Sequence, residues 1–194
     1  MDKNKFVIGI QARSGSTRLP GKCLNKILEW PLWFLAYRAA RSTGISTYLL
    51  VPENDTDMLE SFKGCGIEEK FIIQGSEKFP LDRFQKLIER VPEAKWIIRL
   101  TADCPFIPSR MILDMAYQCY NDELVFMYNE LDGMDIQVAS LSLFNCLKYL
   151  DVEHVFNMKK IKDNDLYTKY EMHLSVDTQE QYDHIKFLAG DEHE

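Results

Sequence analysis

Short apolar runs alternate with amphipathic stretches through the first two thirds of this chain, and that alternation restricts the fold more than any single residue does. The runs cover residues 6–10, 47–51, 70–74, 95–100 and 124–128. Each has the length of a buried strand. Between them, residues 31–41, 57–62, 81–91 and 108–121 carry apolar side chains at helical spacing, as in Leu81, Phe84, Leu87 and Ile88. Gly44 marks the end of the first helical stretch, Asp55 is placed to cap the second, and Gly64 and Gly66 end it. Strand, helix, strand in repetition predicts an α/β fold, with a mostly parallel central sheet and helices on both faces. Crossovers of this kind are right-handed.

In such sheets ligands bind at the carboxyl ends of the strands. Two unusual stretches lie at such ends, so the fold predicts that they meet. The first follows the opening strand: Gln11-Ala-Arg-Ser-Gly-Ser-Thr-Arg-Leu-Pro-Gly-Lys22. An amphipathic segment from about residue 28 to residue 41 follows it. Gly15 and Gly21 give the loop backbone freedom; Ser14, Ser16 and Thr17 give it hydroxyls; Arg13, Arg18 and Lys22 give it positive charge. Exposed N–H groups beside fixed cations are what a polyphosphate requires. The loop is not a P-loop: Gly15 and Gly21 are too far apart, and Cys23 stands where a metal-binding hydroxyl is needed. A dinucleotide-type glycine pattern is absent as well. The bland alternative is a solvated basic loop with turn glycines.

The second stretch is Thr101-Ala-Asp-Cys-Pro105, an acid at a strand end followed by a proline turn. Asp103 is suitable for Mg²⁺, which takes a few carboxylates, waters and substrate phosphates; a turn aspartate bonding its own backbone fits the same residues. Asp135 and Asp177 are further acids at strand edges, and Asp82 can complement a helix dipole. His154, His173, His184 and His193 form no catalytic pattern, and the absence of H-x-G-H argues against histidine-based nucleotidyl transfer. Trp30, Trp33 and Trp96 suit core or interface positions.

Past residue 133 the pattern loosens. A strand is expected over 135–139, helices over 142–150 and 153–158, a strand end over 174–177, and a terminal helix over 178–188 capped by Thr178. The 194 residues suit one domain. A net charge of −7 argues against a nucleic-acid binder and makes the basic loop more telling. No apolar run approaches the roughly 18 residues needed to cross a bilayer. The five cysteines are odd in number and widely spaced, with no C-x-x-C. They fit neither a zinc site nor a disulfide framework, so the chain reads as cytoplasmic.

Taken together, these stretches resemble the cytidylyltransferases that activate acidic sugars. The likeness is greatest to the spore-coat polysaccharide biosynthesis branch, which is related to the CMP-3-deoxy-manno-octulosonate synthetases. The likeness rests on the Gln11–Lys22 loop and on five shorter matches in the same order. Pro80-Leu-Asp-Arg-Phe84 resembles V-L-D-R-F/Y, and Ile98-Arg-Leu-Thr-Ala-Asp-Cys-Pro-Phe-Ile107 resembles R-I-T-G-D-C-P-L-I. Gly133-Met-Asp-Ile-Gln137 resembles G-L-D-V-E, Glu153-His-Val155 matches E-H-V, and Leu174-Ser-Val-Asp-Thr178 resembles L-T-V-D-T.

The resemblance implies a Rossmann-like nucleotidyltransferase domain that uses CTP and Mg²⁺, releases pyrophosphate and activates a small anionic acceptor. It implies nucleotide binding by Gln11, Ala12, Arg13, Ser14, Gly15, Ser16, Arg18, Lys22, Arg83, Thr101 and Ala102. Arg13, Lys22 and Asp103 would be catalytic, Asp103 and Asp177 would hold the metal, and Asp135 and Gln137 would lie at the acceptor. It assigns nucleotide binding to about residues 1–128, acceptor contacts to about 129–176 and the metal-site end to 174–190, and it hints at a homodimer. Ala102 and Gln137 depart from the family's glycine and glutamate, and the segment before Asp177 is short. A phosphorylated or amino-acid-like acceptor, a guanylyl or uridylyl donor, and a non-catalytic nucleotide binder are the competing readings.

Overall fold

The computed structural model describes residues 1–124, 126–129, 133–143 and 176–189. Its elements in chain order are β1 (Phe6–Gln11), β2 (Lys26–Ile27), β3 (Trp30–Pro31), α1 (Leu32–Ser42), β4 (Ser46–Pro52), α2 (Thr56–Gly64), β5 (Ile72–Gly75), α3 (Pro80–Arg90), β6 (Trp96–Thr101), α4 (Ser109–Asn121), β7 (Phe126–Tyr128), β8 (Gln137–Ser140) and α5 (Gln179–Leu188). Six strands form one sheet in the order β5-β4-β1-β6-β8-β7. β1 pairs in parallel with β4 on one side and β6 on the other, and β5 extends the parallel set. The chain thus leaves the centre of the sheet to one side and returns to the other. The loops after β1 and β6 stand side by side at that switch point, where α/β sheets bind ligands.

Alternation along β1 sorts the layers. Phe6, Ile8 and Ile10 face a core built with α1, α2 and α4. Val7 faces the opposite layer, where α3 contributes Leu81, Phe84, Leu87 and Val91. Gly9 shares this second face, and a Cβ there would lie 2.8 Å from Leu50 and 3.0 Å from both Leu87 and Phe84. The glycine therefore lets α3 sit close to the sheet, which brings the first turn of that helix over the ends of β1 and β6.

Two expectations need correction. The segment from residue 28 is not helical at its start. β2 and β3 form a small antiparallel hairpin, Leu28 takes a left-handed φ of 55° within it, and α1 begins only at Leu32. The strand expected over 135–139 is present as β8, which runs antiparallel to both β6 and β7 within the mostly parallel sheet. Residues 176 and 177 are not in a strand; the Val176 N–H instead donates to the Asp103 carbonyl at 3.1 Å. The helix expected over 142–150 falls beyond residue 143 outside the described residues, as do the 153–158 helix, residues 174–175 and three of the histidines. The expected caps are present: the Asp55 side chain accepts from the Met58 N–H, and Thr178 with Gln181 makes a capping box on α5. Among the described residues, no helix is long and apolar enough to cross a membrane.

Candidate active site

At the switch point lies a cleft of about 330 Å³. Its wall is formed by Gln11, Ala12, Arg13, Lys22 and Cys23 from β1 and the following loop, and by Glu77, Lys78, Pro80 and Arg83 from the start of α3 and the turn before it. Arg99, Thr101 and Asp103 complete it from β6 and its end. Five of these side chains are cationic and two are acidic, in a protein whose net charge is −7. The cleft is therefore electropositive against the sign of the whole chain and suits a polyanion.

The loop after β1 is shaped by its own backbone. Gly21 has φ = 68°, a left-handed conformation that favours glycine, and its N–H donates to the Ser14 carbonyl at 2.9 Å. That bond closes the loop and starts the 3-10 turn at Lys22–Leu24, which aims Lys22 into the cleft. The other end of the loop is tied down by Asp55, whose Oδ2 accepts from the Ser14 N–H at 2.8 Å while Oδ1 caps α2. Gly15 and Ser16 follow within the same closed turn, and the Ser16 hydroxyl accepts from the Leu19 N–H.

Lys22 is buried, and one ammonium serves two acids. Nζ donates to Asp103 Oδ2 and, at 2.7 Å, to Asp177 Oδ1. Arg18, itself largely exposed, reaches the same Asp177 oxygen at 2.8 Å. Burial pulls the lysine pKa down, but the two carboxylates more than offset it and leave Lys22 above its ordinary value. At Asp177 burial acts upward, and Lys22 and Arg18 outweigh it, so this carboxyl lies below its ordinary value. Asp177 is placed by the start of α5, where the Gln181 side-chain oxygen accepts from both the Asp177 and Thr178 N–H groups.

Arg83 is 4% exposed. Its Nη1 donates to the Leu50 carbonyl over a long 3.4 Å, and among the described residues its Nε has no hydrogen-bond partner. Burial, then the neighbouring Arg13, lowers its pKa to about 10. Burying such a cation is costly, and an arriving anion relieves that cost.

Sequence reasoning gave no role to Arg99. It interrupts the apolar run of β6, and a charge inside a buried strand was the signal available. Its Nε donates to Gln11 Oε1, and Nη1 donates to Gln137 Oε1 at 2.8 Å. Lys78 and Glu77 were also not singled out, and Cys23 entered only as a departure from the P-loop pattern; burial pushes the Cys23 thiol up to about 12, so it lines the cleft as a neutral group.

Of the expected site residues, Gln11, Ala12, Arg13, Lys22, Arg83, Thr101 and Asp103 line the cleft, Ser14, Gly15, Ser16 and Arg18 do not, and Asp177 is linked to the cleft through Lys22. Ala102 is buried with its N–H on the Gln11 carbonyl at 2.9 Å, and its φ is not positive, so alanine fits there without strain. Asp135 and Gln137 stand behind the cleft wall. Gln137 meets it through Arg99, and Asp135 accepts from the Cys104 thiol at 3.5 Å. That thiol is held far above its ordinary pKa by burial and by Asp103 and Asp135, so it stays protonated as a donor.

The cytidylyltransferase family model matches residues 7–193. The chain belongs to the cytidylyltransferase family. It is 29% identical to the spore coat polysaccharide biosynthesis protein SpsF of Bacillus subtilis, over 95% of this chain and 86% of that protein. It is 26% identical to the 3-deoxy-manno-octulosonate cytidylyltransferase of Haemophilus influenzae over 85% of this chain, and it spans 60% of that relative's length. The structure of a cytidylyltransferase from Leptospira borgpetersenii superposes with a TM-score of 0.79 at 26% identity, covering 98% of this chain and 88% of that one. The enzyme class is therefore nucleotidyl transfer on the fold expected from the alternating pattern.

Proposed function

We propose that this enzyme transfers CMP from CTP to a small sugar acid, such as a 2-keto-3-deoxy or nonulosonic acid, and releases pyrophosphate, for the synthesis of a surface polysaccharide. The observation that carries the reading is the gathering of Arg13, Lys22, Lys78, Arg83 and Arg99 on one cleft of an acidic chain. Names of the relatives support the donor and the class of acceptor. The nucleotide occupies the loop after β1, with Gln11 to Ser16, Arg18, Thr101 and Ala102 around it. The acceptor lies toward β8, on the side of Asp135 and Gln137.

An acceptor hydroxyl oxygen attacks the α-phosphorus in line and gives up its proton to solvent, the bond to the bridging oxygen breaks, and pyrophosphate departs with that electron pair. The residues of the chain align and neutralise rather than react covalently. Arg13 and Lys22 offset charge that builds on the phosphates, and Arg83 steadies the nucleotide from α3. Asp103 and Asp177 suit Mg²⁺: the two carboxylates already share one cation, the Lys22 ammonium. Two acids with waters and phosphate oxygens meet the demands of that ion. When bound, the ion supplies positive charge to the phosphate oxygens and acidity to a coordinated group.

The test is calorimetric titration with CTP, UTP, GTP and ATP, each with and without Mg²⁺, followed by pyrophosphate release with a panel of sugar acids. Selective, Mg²⁺-dependent CTP binding and turnover with an acid support the reading. Binding without turnover by any acceptor favours a non-catalytic nucleotide binder.

A further inference from the structure

We infer that Lys22 is a placeholder for the divalent cation: its ammonium holds the position between Asp103 and Asp177 and yields it only when the donor's triphosphate offers another anion, so that nucleotide comes before the metal or together with it. The inference rests on the reading of Asp103 and Asp177 as the metal-holding acids of a CTP-using enzyme.

Three elements seat the ammonium. Lys22 lies in the 3-10 turn after the β1 loop, Asp103 follows β6, and Asp177 precedes α5. Nζ donates to Asp103 Oδ2 and, at 2.7 Å, to Asp177 Oδ1, and the Arg18 guanidinium reaches that same Asp177 oxygen at 2.8 Å. The Val176 N–H on the Asp103 carbonyl ties the two acids together through the backbone, so their approach does not depend on the lysine alone. Arg99 adds a third positive charge that acts on Asp103, shared with Asp135. A dication arriving alone therefore meets three cations gathered on two acids. It needs the same carboxylate oxygens that Lys22 holds, and like charges at contact distance repel.

Neither exchange proceeds by itself. Drawing Lys22 away leaves two facing carboxylates without their shared partner, which is costly for half-buried charges. A triphosphate removes both obstacles, because its oxygens give the ammonium a new partner and carry a divalent cation of their own. Lys22 suits such a move. Its backbone is fixed by the turn, with its N–H on the Leu19 carbonyl at 3.2 Å, while its ammonium rides on a flexible four-carbon stem. The side chain lines the same cleft as Arg13, so it borders the proposed phosphate site as well as the acids. One residue thus serves the acids before the nucleotide arrives and the phosphates afterwards.

The experiment titrates the full chain with Mn²⁺, a paramagnetic stand-in for Mg²⁺ whose free form is counted by electron paramagnetic resonance. The wild type, Lys22→Met, Lys22→Gln, Arg18→Gln and the double variant Lys22→Met with Asp177→Asn are compared without nucleotide, with melting temperature as the check on folding. Lys22→Met is expected to bind Mn²⁺ at least about 10-fold more tightly than the wild type, because the position no longer has to be cleared first. The double variant should lose that gain, which assigns it to Asp177. Arg18→Gln takes a charge from the same Asp177 oxygen without clearing the position, and its Mn²⁺ Kd should change by no more than about threefold. Lys22→Gln is neutral and should also tighten Mn²⁺, which decides the matter if Lys22→Met does not fold. Calorimetry with CTP should show the wild type gaining more CTP affinity from Mn²⁺ than Lys22→Met does, because only the wild type has an ammonium to move. An Mn²⁺ Kd unchanged in both Lys22 variants overturns the inference and leaves CTP binding by the cleft intact. Equal tightening in Arg18→Gln overturns it as well, since charge rather than place then sets the affinity. A wild type that binds no CTP, with or without metal, overturns the reading on which the inference rests.

Discussion

Lys22 and Asp177 meet at 2.7 Å although 155 positions of sequence separate them. Because the same ammonium also contacts Asp103, one cation joins the loop after β1, the end of β6 and the start of α5. Removing it should therefore have two effects. Lys22→Met is expected to lower turnover by about 10²-fold or more, as is Asp103→Asn, measured by pyrophosphate release. Lys22→Met should also lower the melting temperature, because two facing acids lose their shared partner. Combining it with Asp177→Asn should restore part of that loss, with a coupling of about 0.5–3 kcal/mol in a double-mutant cycle. Strict additivity would show that the contact contributes nothing to the fold.

The pH dependence of this contact has a definite sign. Asp177 has a carboxyl pKa below its ordinary 3.8, so its contribution is present above that value and is lost as pH falls through the lower folded value. Lys22 has a pKa above its ordinary 10.5, so its contribution is complete below that value and is lost as pH rises through the higher folded value. The stability difference between wild type and Lys22→Met is thus expected to be flat across neutral pH and to close in acid below 3.8. Urea unfolding at a series of pH values measures it. A difference that changed through neutral pH would point to another titrating group.

The parallel part of the fold could be read from the sequence because β1 and β4 are largely buried on both faces and appear as near-continuous apolar runs, while β6 is interrupted only at Arg99 and the edge strand β5 keeps a short apolar run. The β2–β3 hairpin could not. Each of its strands has two residues, too few to show alternation, and Leu28, Trp30 and Leu32 blend into the apolar face of α1. The direction of β8 was open to arithmetic. Only eight residues separate Tyr128 from Gln137, fewer than the dozen or so that a parallel crossover requires. In the site, Asp103 and the basic loop were legible because strand ends are where such sheets bind ligands. Arg99 was hidden within a strand, and Asp55 was seen only as a helix cap, since its bond to Ser14 depends on a neighbour across the sheet.

That double use of Asp55 can be separated. Asp55→Ala removes both the α2 cap and the tether on the Ser14 N–H, and loss of the cap alone should cost about 1 kcal/mol. Asp55→Ser keeps a good capping residue, but one hydroxyl replaces two carboxylate oxygens. It is expected to restore most of the melting temperature while leaving CTP binding as weak as in Asp55→Ala. Thermal unfolding and CTP calorimetry on both variants check this. Recovery of both properties by serine would show that the Ser14 contact does not order the loop.

Arg83 gives the opposite balance between stability and binding. It is buried, its Nε lacks a partner among the described residues, and burial with Arg13 lowers its pKa to about 10. Without ligand, then, this side chain is expected to weaken the fold. Arg83→Met has similar length and removes the charge, so the ligand-free variant is expected to melt at or above the wild-type temperature. The same substitution removes a cation from the nucleotide side of the cleft, and CTP should bind at least about 10-fold more weakly, since hydrogen bonds to charged groups contribute about 1.5–3 kcal/mol. The rise in melting temperature on adding CTP should shrink accordingly, because ligand stabilisation follows occupancy. Melting curves with and without CTP measure both effects on one sample. A ligand-free variant that melts several degrees lower would instead make Arg83 a structural residue, holding Leu50 of β4 against α3.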